Sequence, residues 1–188
     1  MVSSDGETGP TWIFGYGSLL FRADFPHRHR LAGWLGGYRR KLWQGSPDHR
    51  GTPEAPGRVA TLVEEADARV LGAVFAVAHD ELDTVLSYLD LREQAGYERR
   101  THQIDLLEGG RISALVYLAT PANPSWLGPA PARTIAEHVT RSRGPSGWNR
   151  DYVVGLAEAL RTLGLGPHDE EEVFEVERSL GSLNEPSR

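Results

Sequence analysis

Residues 70–119 read VLGAVFAVAHDELDTVLSYLDLREQAGYERRTHQIDLLEGGRISALVYLA, and the order of patterns inside them decides the fold class. Val70 to Val77 is an apolar run of strand length, rich in valine. Asp80 stands where it can cap a helix, and Leu82, Val85, Leu86 and Leu89 then fall on one helical face. That helix should end near Arg92-Glu93-Gln94-Ala95-Gly96. Tyr97 to Leu107 and Arg111 to Ala119, joined across Gly109-Gly110, read as a β-hairpin. A strand, a helix and then a hairpin lack the regular alternation of a doubly wound sheet, so the class is α+β.

Working outward, Trp12-Ile13-Phe14 is a buried strand that runs into the glycine turn Gly15-Tyr16-Gly17-Ser18. Tyr38 to Trp43 and Arg58 to Glu64 are two further strands. The thirteen residues from Gly45 to Gly57 connect them, and a connection that long inside a compact domain is usually functional or disordered. Helical patterns cover Arg133 to Arg141, Asn149 to Leu163 and Glu170 to Leu180, separated by Gly-Pro breaks. Curling the strands into a small closed or nearly closed barrel would remove their open edges, with the strand order left open.

The 188 residues suffice for about one domain, expected over residues 11–180 between a flexible tail at 1–10 and a second tail at 181–188. No apolar run approaches the roughly 20 residues of a membrane span, and the first ten residues have no basic end and no apolar stretch. With no cysteine, thiol nucleophiles, disulfides and thiolate metal sites are excluded. A net charge of −6 speaks against a nucleic-acid partner. A cytoplasmic protein with no membrane partner is expected; oligomeric state is not legible.

Gly15-Tyr16-Gly17-Ser18-Leu19-Leu20 begins like a dinucleotide fingerprint, but Leu20 stands where the third glycine belongs and Pro26 interrupts any long helix. The same leucine breaks the nucleophile-elbow pattern around Ser18. What survives is a turn whose glycines let backbone N–H groups approach a carboxylate or other small anion. His27 and His29 lack a third metal ligand at suitable spacing. Arg39, Arg40, Arg50 and Arg58 border the long connection and could receive carboxylates. Among the acids Glu93 is singled out, because it follows a buried helical face and precedes a glycine turn; pairing with Arg92 or Arg99 is the plainer reading. Tyr152 reads as a packing aromatic on its helix.

The segments WIFGYGSLLFRADFP, WQGSPDHRGTPEAPGRVATLVE, YLDLREQAGY, YLATPANPSWLGPAP and RGPSGWNRDYV resemble the ChaC family of glutathione-specific γ-glutamylcyclotransferases, in order, from Trp12 to Leu180. The resemblance implies a compact β-barrel with flanking helices. It implies a substrate loop at Ile13, Phe14, Gly15, Tyr16, Gly17 and Ser18, and a catalytic carboxylate at Glu93. It implies cyclisation of the γ-glutamyl group of glutathione to 5-oxoproline with release of Cys-Gly, without cofactor or metal. The family typically carries Lys-Gly-Gly after the carboxylate, where this chain has Gln94-Ala95-Gly96. Other γ-glutamyl amino acids or amines as substrates, a non-catalytic γ-glutamyl binder and a metal hydrolase using His27 and His29 are the competing readings.

Overall fold

Gly109 and Gly110 both adopt positive φ, +95° and +89°, and this reverses the chain between β4 (Glu98–Leu106) and β5 (Arg111–Leu118). The hairpin pairs Glu98 with Leu118 through Asp105 with Arg111, within a residue of its expected ends. The structure is a computed structural model that describes residues 9–92 and 96–183. Three earlier strands complete the sheet: β1 (Thr11–Gly15), β2 (His29–Ser46) and β3 (Gly57–Val77). They form a closed barrel in the order β1-β3-β2-β4-β5. Closure comes from parallel pairing of Trp12 to Phe14 with Ala114 to Val116; every other barrel pairing is antiparallel. The α+β barrel is therefore the fold, and its strand order is a property of the closed sheet.

Two strands are longer than their apolar runs. β2 begins at His29 rather than Tyr38, and Arg58 to Glu64 and Val70 to Val77 belong to one strand, β3. The exposed stretch Glu64 to Asp67 resembles a turn by composition. In the sheet it is a bulge, where Gly36 to Tyr38 of β2 faces Glu64 to Arg69 of β3, with Gly37 at φ +82°. Beyond the bulge Tyr38, Arg40, Leu42 and Gln44 face inward while Arg39, Lys41 and Trp43 alternate with them, the period of two expected of a strand buried on one face.

Helix α1 (Leu82–Arg92) buries Val85 and Leu89. Its N-terminus departs from expectation. Asp80 lies inside a short 3-10 turn, His79–Glu81, and caps nothing. Helices α2 (Ala132–Arg141), α3 (Asn149–Thr162) and α4 (Glu171–Leu183) pack on one another and on the part of β2 and β3 that extends past the barrel. A two-stranded hairpin of β6 (Arg143–Gly144) and β7 (Gly147–Trp148) leads into α3. Among the described residues no helix is long and apolar enough to cross a membrane.

Ile13, Phe14, Leu35, Phe75, Ile104 and Val116 are sealed from solvent in the core. Side chains of this size stabilise by about 1.5–3 kcal/mol each on full burial. One buried ion pair joins the barrel to α4. Arg40 donates to Glu170 at 2.7 Å and to the Leu71 carbonyl at 2.6 Å. Glu172 accepts from the Leu42 N–H at 2.7 Å and the Trp43 indole at 3.0 Å.

Candidate active site

β1 ends at Gly15, where a Cβ would lie 2.6 Å from that of Leu19, so only glycine allows the chain to fold back so tightly. The next side chain, Tyr16, is buried and donates to the Tyr117 carbonyl at 2.7 Å. A Cβ on Gly17 would come within 3.1 Å of the Tyr152 hydroxyl. The 3-10 turn Ser18–Leu20 follows. Its internal bonds are donated by Leu20 to Gly17 and by Phe21 and Arg22 to Ser18, which leaves the N–H groups of Gly17, Ser18 and Leu19 at the donor end of a helical turn.

The connection between β2 and β3 is a built structure. Ser46 accepts from the Arg50 N–H at 3.1 Å and donates to Asp48 at 3.2 Å. Three glycines hold the 49–51 backbone between its neighbours. A Cβ on Gly51 would lie 2.2 Å from the Gly57 nitrogen, one on Gly57 2.5 Å from the Arg50 carbonyl oxygen, and one on Gly144 2.3 Å from that of His49. His49 contacts the Arg92 carbonyl through Nε2 at 3.1 Å and Ser146 Oγ through Nδ1 at 3.2 Å. A carbonyl only accepts, so Nε2 carries the proton. Arg50 donates to the Trp148 carbonyl at 3.1 Å and lies over the Tyr152 ring, 5.7 Å from its centroid.

The third contribution comes from the end of α1. Arg92 donates to Ser18 Oγ at 2.5 Å and to the Tyr88 hydroxyl at 3.2 Å. Glu93, Gln94 and Ala95 lie outside the described residues. Gly96, which follows them, takes φ +84°, and a Cβ there would sit 2.7 Å from Asn123 Nδ2. That same amide donates to the Gly96 carbonyl at 2.7 Å.

These pieces enclose a cavity of about 410 Å³, inside the roughly 300–1,000 Å³ of small-molecule sites. Phe14 to Ser18 form one side, and His49, Arg50, Arg92, Tyr97, Tyr117 and Tyr152 line the rest. Ile13 is wholly buried in the barrel and does not reach the cavity wall. Tyr152, expected only to pack, both packs and lines the cavity, its hydroxyl accepting the Ala60 N–H at 2.9 Å.

A model of the family described as ChaC-like protein matches residues 11–182. The chain belongs to the ChaC-like family. It is 39% identical over 173 residues to the glutathione-specific γ-glutamylcyclotransferase 1 of Danio rerio, spanning 90% of this chain and 88% of that one. It is 40% identical over 164 residues to γ-glutamylcyclotransferase 2-3 of Arabidopsis thaliana, covering 81% of each. A crystal structure of a yeast γ-glutamyl cyclotransferase specific to glutathione superposes with a TM-score of 0.84 at 26% identity, over 93% of this chain and 97% of that one.

Within this ChaC-like protein the cavity electrostatics follow from burial. The Arg50 guanidinium is held below its usual range by desolvation first, with Arg22 and Arg92 adding to the effect against Tyr152 and Asp151. Tyr117 is pushed far above the ordinary phenol range by burial and then by its bond to Asp90, so it stays a neutral hydroxyl donor.

The remaining sequence candidates are dispersed. Arg39 pairs with Glu65 on the surface, and Arg58 is buried with the carbonyls of Leu42 and Gly128 as its partners, at 3.0 and 2.8 Å. His27 donates to the Phe25 carbonyl and packs on Phe75, while His29 opens β2. Among the described residues no cluster of three His, Asp or Glu groups could hold a metal. His49, Asn123 and Tyr97 escaped the sequence reading. Only the glycine-rich length of the 45–57 connection hinted that its side chains face a site.

Proposed function

We propose that this protein degrades glutathione by intramolecular cyclisation, releasing 5-oxoproline and Cys-Gly, with Glu93 as general acid and base. The single observation that supports it most is the contact between Arg92, the neighbour of Glu93 in the chain, and Ser18 of the glycine turn, across a cavity of the right size. The end of α1, which Glu93 follows in the chain, and the glycine turn at the end of β1 therefore border the same cavity.

Near neutral pH the α-amine of the γ-glutamyl group is mostly an ammonium and cannot attack. Glu93 takes its proton, the amine adds to the γ-carbonyl, and the tetrahedral oxyanion collapses with expulsion of the Cys-Gly amine. That amine leaves with the proton held by Glu93, and the freed carboxylate then relays the second proton of the attacking nitrogen, so that the products are the neutral lactam and the Cys-Gly ammonium. A positioned base of this kind contributes roughly 10²- to 10⁴-fold in rate. Holding the flexible chain bent for attack lowers the barrier by several kcal/mol more. The N–H groups of Gly17 and Ser18 are the donors suited to the substrate α-carboxylate or to the developing oxyanion. All heavy-atom bonds made and broken belong to the substrate, so the reaction needs no cofactor. The protein is read as cytoplasmic.

Glu93→Gln keeps the shape and removes the base. Purified variant incubated with glutathione should release no Cys-Gly above about 10⁻² of the wild-type rate, with an unchanged melting temperature. A variant that retains most of its turnover removes Glu93 from the reaction. The parallel incubation with γ-glutamylalanine, assayed for 5-oxoproline, establishes whether the tripeptide is preferred.

A further inference from the structure

We propose that Arg50 is the substrate-carboxylate anchor of this cavity, an assignment that rests on the cyclotransferase reading above. Arg50 is 9% exposed and its side chain forms part of the cavity wall. Among the described residues its one side-chain hydrogen bond goes to the Trp148 carbonyl, and no carboxylate lies within ion-pair distance of it. The other buried arginines are placed differently. Arg40 has Glu170 at 2.7 Å, and Arg58 donates to two carbonyls away from the cavity. Arg22, on the same wall, already has a carboxylate partner in Asp24 at 2.6 Å.

A guanidinium taken out of water without an anion is unfavourable, and the nearby Arg22 and Arg92 add repulsion. An arriving carboxylate relieves both terms at once. The geometry is prepared for it. The Tyr152 ring sets the orientation of the guanidinium, and the contacts of Gly51, Gly57 and Gly144 lock the backbone that carries it. A planar fork so held suits bidentate pairing with a carboxylate, which a lysine would offer only as a point charge. Glutathione brings two such groups, the α-carboxylate of its γ-glutamyl end and the carboxylate of its glycine.

The test is steady-state formation of 5-oxoproline from glutathione and from its glycine ethyl ester, by wild type, Arg50→Gln and Arg50→Lys, with melting temperatures for all three. Arg50→Gln should raise KM for glutathione about 10- to 100-fold, the worth of a charge-assisted bond. Its melting temperature should not fall with it, because the exchange removes an uncompensated charge; Arg50→Lys should recover part of the affinity. A loss seen with both substrates assigns Arg50 to the α-carboxylate, and a loss seen with glutathione alone assigns it to the glycine carboxylate. Wild-type KM values in Arg50→Gln overturn the proposal. Should that variant not fold, Arg50→Lys decides by the same criterion, a raised KM supporting the anchor and an unchanged one overturning it. A wild type that forms no 5-oxoproline from either substrate defeats the cyclotransferase reading itself, whereas an active wild type with an indifferent Arg50 defeats the anchor alone.

Discussion

At Gly15 one added methyl group would displace the turn that the proposed reaction uses. A Cβ there meets the Cβ of Leu19, which is fixed to the backbone of the turn and cannot rotate aside. Gly15→Ala should therefore cost about 1–3 kcal/mol by overpacking, a fall in melting temperature of roughly 2–12 °C for a chain of this size. Its kcat/KM should fall further than the stability loss explains, because the Gly17 and Ser18 N–H groups move with the turn. Gly36→Ala is the matched control. No atom lies within 4 Å of its added Cβ, and it should be neutral in both measurements. Wild-type activity in a destabilised Gly15→Ala would show that the turn geometry is dispensable. Of the residues themselves, Gly15 and Gly17 were legible from the chain because a glycine pair after a strand announces a close backbone approach. Arg50 was one arginine among several, since its place in the cavity wall beside Trp148 and Tyr152 depends on neighbours distant in sequence.

Among the elements, the β4–β5 hairpin and α1 were read nearly to the residue, since turn glycines and a one-sided apolar face are local signals. β3 was not, since the exposed polar run at its bulge mimics a turn and only the partner strand shows that pairing resumes beyond it. Where β4 leans on β2, His102 packs edge-on against Tyr38 with ring centroids 5.3 Å apart. Desolvation holds this imidazole below its usual pKa; Arg100 reinforces the effect and Glu64 opposes it. The unfolded chain then binds the proton more readily than the folded one. The stability that follows is present above the ordinary histidine value of about 6.5 and is lost as pH falls through the window below it. Melting temperatures between pH 7.5 and 5 should fall less steeply in His102→Gln than in wild type, and identical slopes would exclude His102 as a contributor.

The whole molecule is joined across its two halves by the buried pair of Arg40 and Glu170. Burial pushes the Glu170 carboxyl up while Arg40 pulls it down, and burial likewise lowers Arg40, so the pair is held in place at a desolvation cost to both. Removing one partner strands the other. Glu170→Gln should destabilise by about 3–5 kcal/mol in urea unfolding, while the double change Arg40→Met with Glu170→Leu should recover most of that loss. A single variant as stable as wild type would show that the tie between α4 and the barrel is not needed.

What the chain by itself determined is its α+β class, its turns and helices, and, through its resemblance to the ChaC family, a closed barrel and the chemistry to be tested. These rest on periodicity and glycine placement, which act over a few residues, and on blocks of sequence read in order. What only the tertiary structure decided is the strand order and the company kept inside the cavity: His49 on the Arg92 carbonyl, Tyr152 on the Ala60 N–H, Arg50 beside Trp148. Those partners stand tens of residues apart. No local pattern encodes them, because they meet only when β1 and β5 close the barrel and the three C-terminal helices pack over the β2–β3 extension.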